Sequence, residues 1–204
     1  MTATVDWSEP VPVTPEMLRQ AKRATPGQWI YSVDPQFDPD DGCPPWAIRG
    51  GYQVAPGGVI DTSTWIPNIN YRPGPRTRGW PEPTNDLEKA LELAACGHGP
   101  EWDLLTALLD AEVIVPTAQD DPGSLSIATG VGGRPVIVIY TSRPRLTNQV
   151  RSYQILPFTA ITAALGGVKV KINPGSPPSV VIPGEEIVDL LRRRQAGAGS
   201  KSER

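Results

Sequence analysis

Apolar positions follow two different rhythms along this chain, and the change falls near residue 84. After it, Leu87, Leu91, Ala94 and Ala95 recur at i, i+4, i+7 and i+8, which predicts an amphipathic helix. Asn85 with Glu88 three residues on has the form of a capping box, and Gly97 supplies the stop. Pro100 and Glu101 open a second helix whose apolar face is Leu104, Leu105, Leu108 and Leu109, and the short link implies a helical hairpin or corner. Val113 to Val115 form a strand ended by Pro116, and Ser124 to Ala128 alternate weakly. Val136 to Tyr140 are apolar at every position, which predicts a central strand covered on both faces, with Val138 in its middle. Val168, Val170 and Ile172 alternate with Lys169 and Lys171, as in a strand with one wet face. Val180 to Ile182 make a last short strand. Glu185 to Arg194 make a last helix with Ile187, Leu190 and Leu191 on its inner stripe, its carboxylates and arginines complementing the macrodipole.

Before residue 84 the punctuation is proline. This part holds five of the six tryptophans (Trp7, Trp29, Trp46, Trp65 and Trp80) and 14 of the 24 prolines. After a polar, proline-spaced lead, Thr14 and Pro15 read as N-cap and first helical residue, with a helix to Ala24. Trp29 to Val33 is a strand stopped at Asp34-Pro35, and Trp46 to Val54 is a second, interrupted by Gly50-Gly51. DPQFDPDDGCPP between them is a loop. Short apolar stretches from Val59 to Tyr71 lead into RPGPRTRGWPEP, an extended connector. The expected organisation is a flexible lead (1–13), a Trp/Pro-rich module (14–83), a second domain (84–194) and a flexible basic tail (195–204). The fold class is α+β, a mixed sheet flanked by short helices.

Composition narrows the function classes. A net charge of −3 and a pI of about 5.2 give no basic footprint, so nucleic acid is not an expected partner. The opening MTATVDWSEPVPV lacks the basic and apolar regions of a secretory signal, and the longest apolar run is far short of the ~20 residues a spanning helix needs. A cytoplasmic protein without membrane insertion is therefore expected. Cys43 and Cys96 lack C-x-x-C spacing and suit reduced thiols, with a single long-range disulfide left open.

Candidate chemistry is sparse. His98, the only histidine, lies between Gly97 and Gly99 at a predicted helix end, where it suits a capping role better than a catalytic one. Asp34, Asp38, Asp40 and Asp41 break the EF-hand order, because Phe37 and Pro39 occupy its first and third positions. Solvated turn carboxylates account for them better. No zinc pattern is available within one chain. Gly130 to Gly133 lack phosphate-loop spacing and precede a strand. Thr141-Ser142 and Asn173-Pro174-Gly175 follow strand ends, where binding residues and plain terminators both occur. No catalytic, cofactor or metal residues are assigned. Trp29, Trp46, Trp65 and Trp80, set among Pro-rich loops, are the candidate protein-binding residues, since aromatic rings anchor interfaces as well as cores.

Two stretches carry family resemblance. NDLEKALELAACG, EWDLLTALLDAEVIVP, GRPVIVIYTSRPRLT and GGVKVKINPGSPPSVVIP resemble, in that order, the SseB-like (enhanced serine sensitivity) domain. PGQWIYSVDPQFDPDDGCPPWAIRGGY with IPNINYRPGP resembles the leading module of actinobacterial type VII secretion system-associated proteins, in which it precedes an SseB-like domain. The resemblance implies a cytoplasmic accessory protein, an adaptor or chaperone whose partner is a protein, such as a secretion component or substrate. Rival readings are an enzyme of unrecognised class using His98 or the Asp-rich loop, and a small-ligand-binding regulatory domain.

Overall fold

The computed structural model describes residues 6–38, 42–118 and 124–199. The chain divides into two compact units, Met1–Trp80 and Pro81–Arg204. The class is α+β.

The first unit is a three-stranded antiparallel sheet in the order β1-β2-β3, with β1 at Trp29–Val33, β2 at Ile48–Ala55 and β3 at Val59–Pro67. A helix, α1 (Pro15–Arg23), precedes it, and a 3₁₀ turn at Pro45–Ala47 leads into β2. The α1 start follows from sequence: the Thr14 hydroxyl accepts from the Met17 N–H, and Pro15 sits where no amide donor is needed. Met17 and Ala21 bury against Ile30, Tyr52, Val54 and Ile60.

Two expectations change here. Gly50-Gly51 does not interrupt β2; the strand runs through both, and each glycine makes room for a ring. A Cβ on Gly50 would stand 2.4 Å from Cη2 of Trp65 and 2.6 Å from the Ile66 carbonyl oxygen, so the indole can cross β2 only there. The lead expected to be flexible is, over residues 6–13, held to the unit. Val11 is buried in the core, its carbonyl accepts from the Tyr52 hydroxyl at 2.5 Å, and the Ser8 carbonyl accepts from the Trp65 indole N–H at 2.9 Å.

In the second unit, α2 (Asp86–Cys96) and α3 (Glu101–Asp110) precede β4 (Glu112–Pro116), which pairs antiparallel with β7 (Tyr153–Pro157). A four-stranded mixed sheet has the order β5-β6-β8-β9, with β5 at Ile127–Thr129, β6 at Pro135–Ile139, β8 at Lys169–Ile172 and β9 at Val180–Pro183. Only β6 and β8 run parallel. A bridge between Ile114 and Tyr140 links the end of β6 to β4. The closing helix, α4, spans Gly184–Gly199. It continues past the predicted end at Arg194 into the segment expected to be a flexible tail; residues 200–204 lie outside the described residues.

Leu87, Leu91, Leu104, Leu108, Ile187 and Leu190 from the helices pack on Val113, Val115, Ile137, Ile139, Val170, Ile172 and Ile182 from the strands. The period-2 alternation of β8 is therefore realised, with Lys169 and Lys171 exposed. β6 lies between β5 and β8, and both of its faces hold buried residues, Ile137 and Ile139 on one and Val136 and Tyr140 on the other, but Val138 between the latter two is only half-buried. The register explains this, since Val138 pairs with Lys171 on the wet face while Ile139 pairs with Ile172 on the helix side.

Two stability outcomes follow. Ile139→Asp places an unpaired carboxylate in the core and should abolish the cooperative urea transition of the Pro81–Arg204 unit, whereas Lys171→Ala should shift stability by no more than about 0.5 kcal/mol. Gly50→Ala should destabilise the first unit by ~1–3 kcal/mol, because the new methyl meets both a ring and a backbone carbonyl. Equal urea midpoints for Gly50→Ala and the parent would show that Trp65 does not lie across β2.

Candidate functional site

The face of the three-stranded sheet opposite α1 carries a groove. Register places Tyr31, Gly51 and Ile66 side by side across β1, β2 and β3, with Trp29 two residues before Tyr31 on the same face. Because Gly51 has no side chain, the row has a notch at its centre. The rings lean into it, so that a Cβ on Gly51 would lie 3.1 Å from Tyr31 and 3.3 Å from Trp29. Tyr31 and Ile66 remain 52% and 58% exposed, which leaves the notch walled by apolar surface that water reaches. This hollow has a volume of about 380 Å³, and a neighbouring one of about 500 Å³ is lined by Trp46, Ile69, Tyr71 and Arg72. Pro45 and Asn70 line both, so the two adjoin.

The loop walls are held by one carboxylate. Asp34 is fully buried and accepts from the Tyr71 hydroxyl at 2.5 Å, the Gly74 N–H at 2.9 Å, the Thr77 hydroxyl at 2.9 Å and the Gln36 N–H at 3.0 Å. Burial alone would raise its pKa, but these four donors outweigh it and hold the carboxyl below its ordinary value. Burial and the bond to Asp34 push the Tyr71 phenol up to about 12. Asp34 is thus not a solvated turn carboxylate, as the sequence suggests, but the post to which residues 71–77 are tied. Asp38 is exposed, and Asp40 and Asp41 lie outside the described residues. Asn68 fixes the other wall, its amide donating to the carbonyls of Pro45 and Ile48, both at 2.8 Å.

The four candidate tryptophans separate. Trp29 and Trp46 line the groove, Trp46 standing edge-on to Phe37 at 5.4 Å. Trp65 packs on Tyr52 at 4.8 Å between ring centroids and is committed to the core of the unit. Trp80 is half-buried, with the Arg78 guanidinium 5.4 Å from its ring centroid. Trp102, on α3, is more open at 49%. Tyr31, Gly51, Ile66 and Asn70 are the groove residues that sequence reasoning missed. The W-I-Y alternation could have paired Trp29 with Tyr31, but nothing local shows that Gly51 lies opposite.

A second polar constellation, in the other unit, is closed. Glu88, Arg145 and Glu92 are only 1%, 2% and 4% exposed. One oxygen of Glu88 accepts from the Thr141 and Ser142 hydroxyls at 2.8 and 2.6 Å. The other accepts from the Thr84 N–H at 2.8 Å, the Thr84 hydroxyl at 3.1 Å and Arg145 Nη2 at 3.1 Å. Arg145 also donates to Glu92 at 3.3 Å and to the carbonyls of Pro177 and Pro81 at 2.8 and 3.3 Å. Asn173, in the left-handed region at φ 50°, accepts from the Thr141 N–H at 2.9 Å. The strand-end residues Thr141, Ser142 and Asn173 are therefore brought together, around a carboxylate whose bonding is already satisfied.

The capping box is half made: Asn85 accepts from the Glu88 N–H at 2.9 Å, but the Glu88 side chain, shared with Arg145, reaches the Thr84 N–H one residue before the cap instead of the Asn85 N–H. Burial opposes ionisation of Glu88, yet Arg145, Ser142, Thr84 and Thr141 bring its pKa down to about 2. Burial wins at Glu92, where the Glu88 charge adds to it and Arg145 only partly offsets it, so that group is raised.

His98 follows the left-handed cap Gly97, and its backbone N–H donates to the Leu93 carbonyl at 2.8 Å, a bond that does not involve the imidazole. Among the described residues, no three His, Cys, Asp or Glu side chains are grouped to hold a metal. Cys43 and Cys96 are both free thiols, and no described helix is long and apolar enough to cross a membrane.

A family model described as the SseB protein N-terminal domain matches residues 87–189, just over half of the chain. The match runs from α2 into the first turns of α4 and agrees with the SseB-like resemblance of that stretch. No curated protein and no solved structure matches.

The Glu88 cluster generates a pH prediction. Its folded-state pKa lies near 2, below the ordinary value of 4.5, so its stabilisation is complete above about 4.5 and is lost as the pH falls toward 2. The raised Glu92 works in the opposite sense, favouring the fold below its unfolded pKa. In Glu88→Gln the loss of stability across this window should flatten. Arg145→Met, which strands two buried carboxylates, should cost ~3–5 kcal/mol at neutral pH. Urea titrations from pH 2 to 7 check both, and an unchanged pH slope in Glu88→Gln would remove Glu88 from the acid transition.

Proposed function

The chain belongs to the SseB protein N-terminal domain family, and from that premise we propose that it is a non-enzymatic accessory protein acting through protein–protein contacts. The observation that carries the reading is the aromatic groove of the first unit. Trp29 and Tyr31 line a hollow on the sheet face that α1 leaves uncovered, and Trp46 and Tyr71 line an adjoining one formed by the loops. Exposed apolar surface gathered in a concavity marks an interaction site, and Trp and Tyr are over-represented among interface hot spots. The polar constellation in the other unit supports the same division of labour, because its hydroxyls and carboxylates are engaged with one another at 2.6–3.3 Å. The likeness of the leading module to type VII secretion-associated proteins supports a cytoplasmic adaptor or chaperone at such a locus, in an actinobacterium, with a secretion component or substrate as partner.

Secretion output measured together with co-purification in the native host tests this. His98→Ala should leave both intact. Tyr31→Ala and Trp29→Ala should reduce partner capture while the protein stays folded, since truncating an interface anchor typically costs ~2 kcal/mol or more. Loss of secretion in folded His98→Ala with capture intact would overturn the adaptor and promote an enzyme.

A further inference from the structure

We infer that the groove takes an extended, proline-rich segment of a partner protein bearing an acidic side chain beside the prolines; the inference rests on the adaptor reading of the same groove. The backbone underneath rules out strand addition as the mode. The groove floor is Gly50-Gly51 of β2, the middle strand, both of whose edges are occupied by β1 and β3. A ligand lying there meets side chains rather than free amides.

What the lining offers matches polyproline. Trp29, Tyr31, Trp46 and Tyr71 present ring surface along the two adjoining hollows, and Pro45 and Pro67 add further flat apolar surface. Such aromatic-lined grooves seat the ridges of a left-handed polyproline helix, whose conformation is formed before binding and loses little entropy. That helix has no internal hydrogen bonds, so its carbonyls need donors. The Trp29 indole N–H, the Tyr31 hydroxyl and the Asn70 carboxamide are among the donors that the lining side chains carry. Proline brings no N–H of its own, so few ligand donors are left to be satisfied.

Charge sets the flank. The hollow around Trp29 is lined by uncharged residues alone. Cations lie toward the other end, where Arg72 lines the second hollow and the Arg49 guanidinium stands 5.8 Å from the centre of the Tyr71 ring. Arg49 lies two residues before Gly51, at the bulge where the pairing of β2 with β1 shifts, and it borders the second hollow through its contact with the Tyr71 ring. It is in no ion pair among the described residues, and its buried Nε has no hydrogen-bond partner. A carboxylate on the ligand would complement it, and a basic flank would be repelled.

The experiment is calorimetric titration of the full chain with three probes: a proline-rich peptide ending in Asp-Asp, the same peptide ending in Lys-Lys, and a single-stranded oligothymidylate. The Asp-Asp peptide should bind at least about tenfold tighter than the Lys-Lys peptide, a ratio equivalent to ~1.4 kcal/mol. Tyr31→Ala, a change at a half-exposed position, should weaken it by a similar factor with the circular dichroism spectrum unchanged, and Trp29→Ala should do the same. Arg49→Gln should erase the preference between the two peptides. No peptide binding, equal affinity for both peptides, or tighter binding of the oligonucleotide would each overturn the inference. If the peptides fail while Tyr31→Ala still reduces capture of the native partner, the ligand chemistry is wrong and the adaptor reading stands; if capture is unaffected, both fall.

Discussion

Three charged side chains withdrawn from water hold the second unit in register. Burying a carboxylate or a guanidinium alone costs several kcal/mol, and the cost is offset only where every donor and acceptor finds a partner. Glu88 meets that condition by accepting from five groups, contributed by the segment before α2, the end of β6 and the turn that follows it. Arg145 extends the same network to Glu92 and to carbonyls at Pro81 and Pro177. A one-residue slip in any of these elements would strand a charge in the interior, so the network specifies an arrangement that apolar packing alone would leave looser. The ends of the two parallel strands are where binding sites of α/β sheets often form, and here that position is filled by the protein's own polar groups.

The first unit solves the same problem on a smaller scale. Asp34 is its buried carboxylate, and four donors from residues 36 to 77 close around it. One consequence is structural, since the loop carrying Tyr71 and Arg72 becomes a fixed wall. The other bears on the proposed contact role, because a groove with fixed walls would not have to order itself before binding. The two glycines of β2 divide the remaining work. Gly50 admits Trp65 to the core side, and Gly51 leaves the notch between Tyr31 and Ile66 on the other side.

The two units therefore differ in how their polar and aromatic groups are used. In the second, Glu88, Glu92, Thr141, Ser142 and Asn173 are turned inward and bonded among themselves and to Arg145. In the first, rings that could have filled a core instead line a surface. The proposed adaptor role follows from that contrast, with the contact chemistry placed on the three-stranded sheet.

Periodicity alone determined most of the second unit. The spacing of leucines defined α2 and α3, the alternation of Val and Lys defined β8, and Gly97 marked the end of α2, because each of these signals depends on neighbours within a turn or two. Thr14-Pro15 determined the start of α1 for the same reason. The tertiary structure decided what local signals cannot encode. It sent the Glu88 side chain away from its cap to an arginine 57 residues on, buried Asp34 in a segment whose composition reads as a wet turn, and left Val138 half-covered beside two fully buried isoleucines. It also turned Gly50-Gly51 from a break into a strand, and separated Trp65 from Trp29 by placing them on opposite faces of one sheet. Each of these outcomes depends on a partner distant in sequence, and a buried charge or an uncovered ring is recognised only when that partner's position is known.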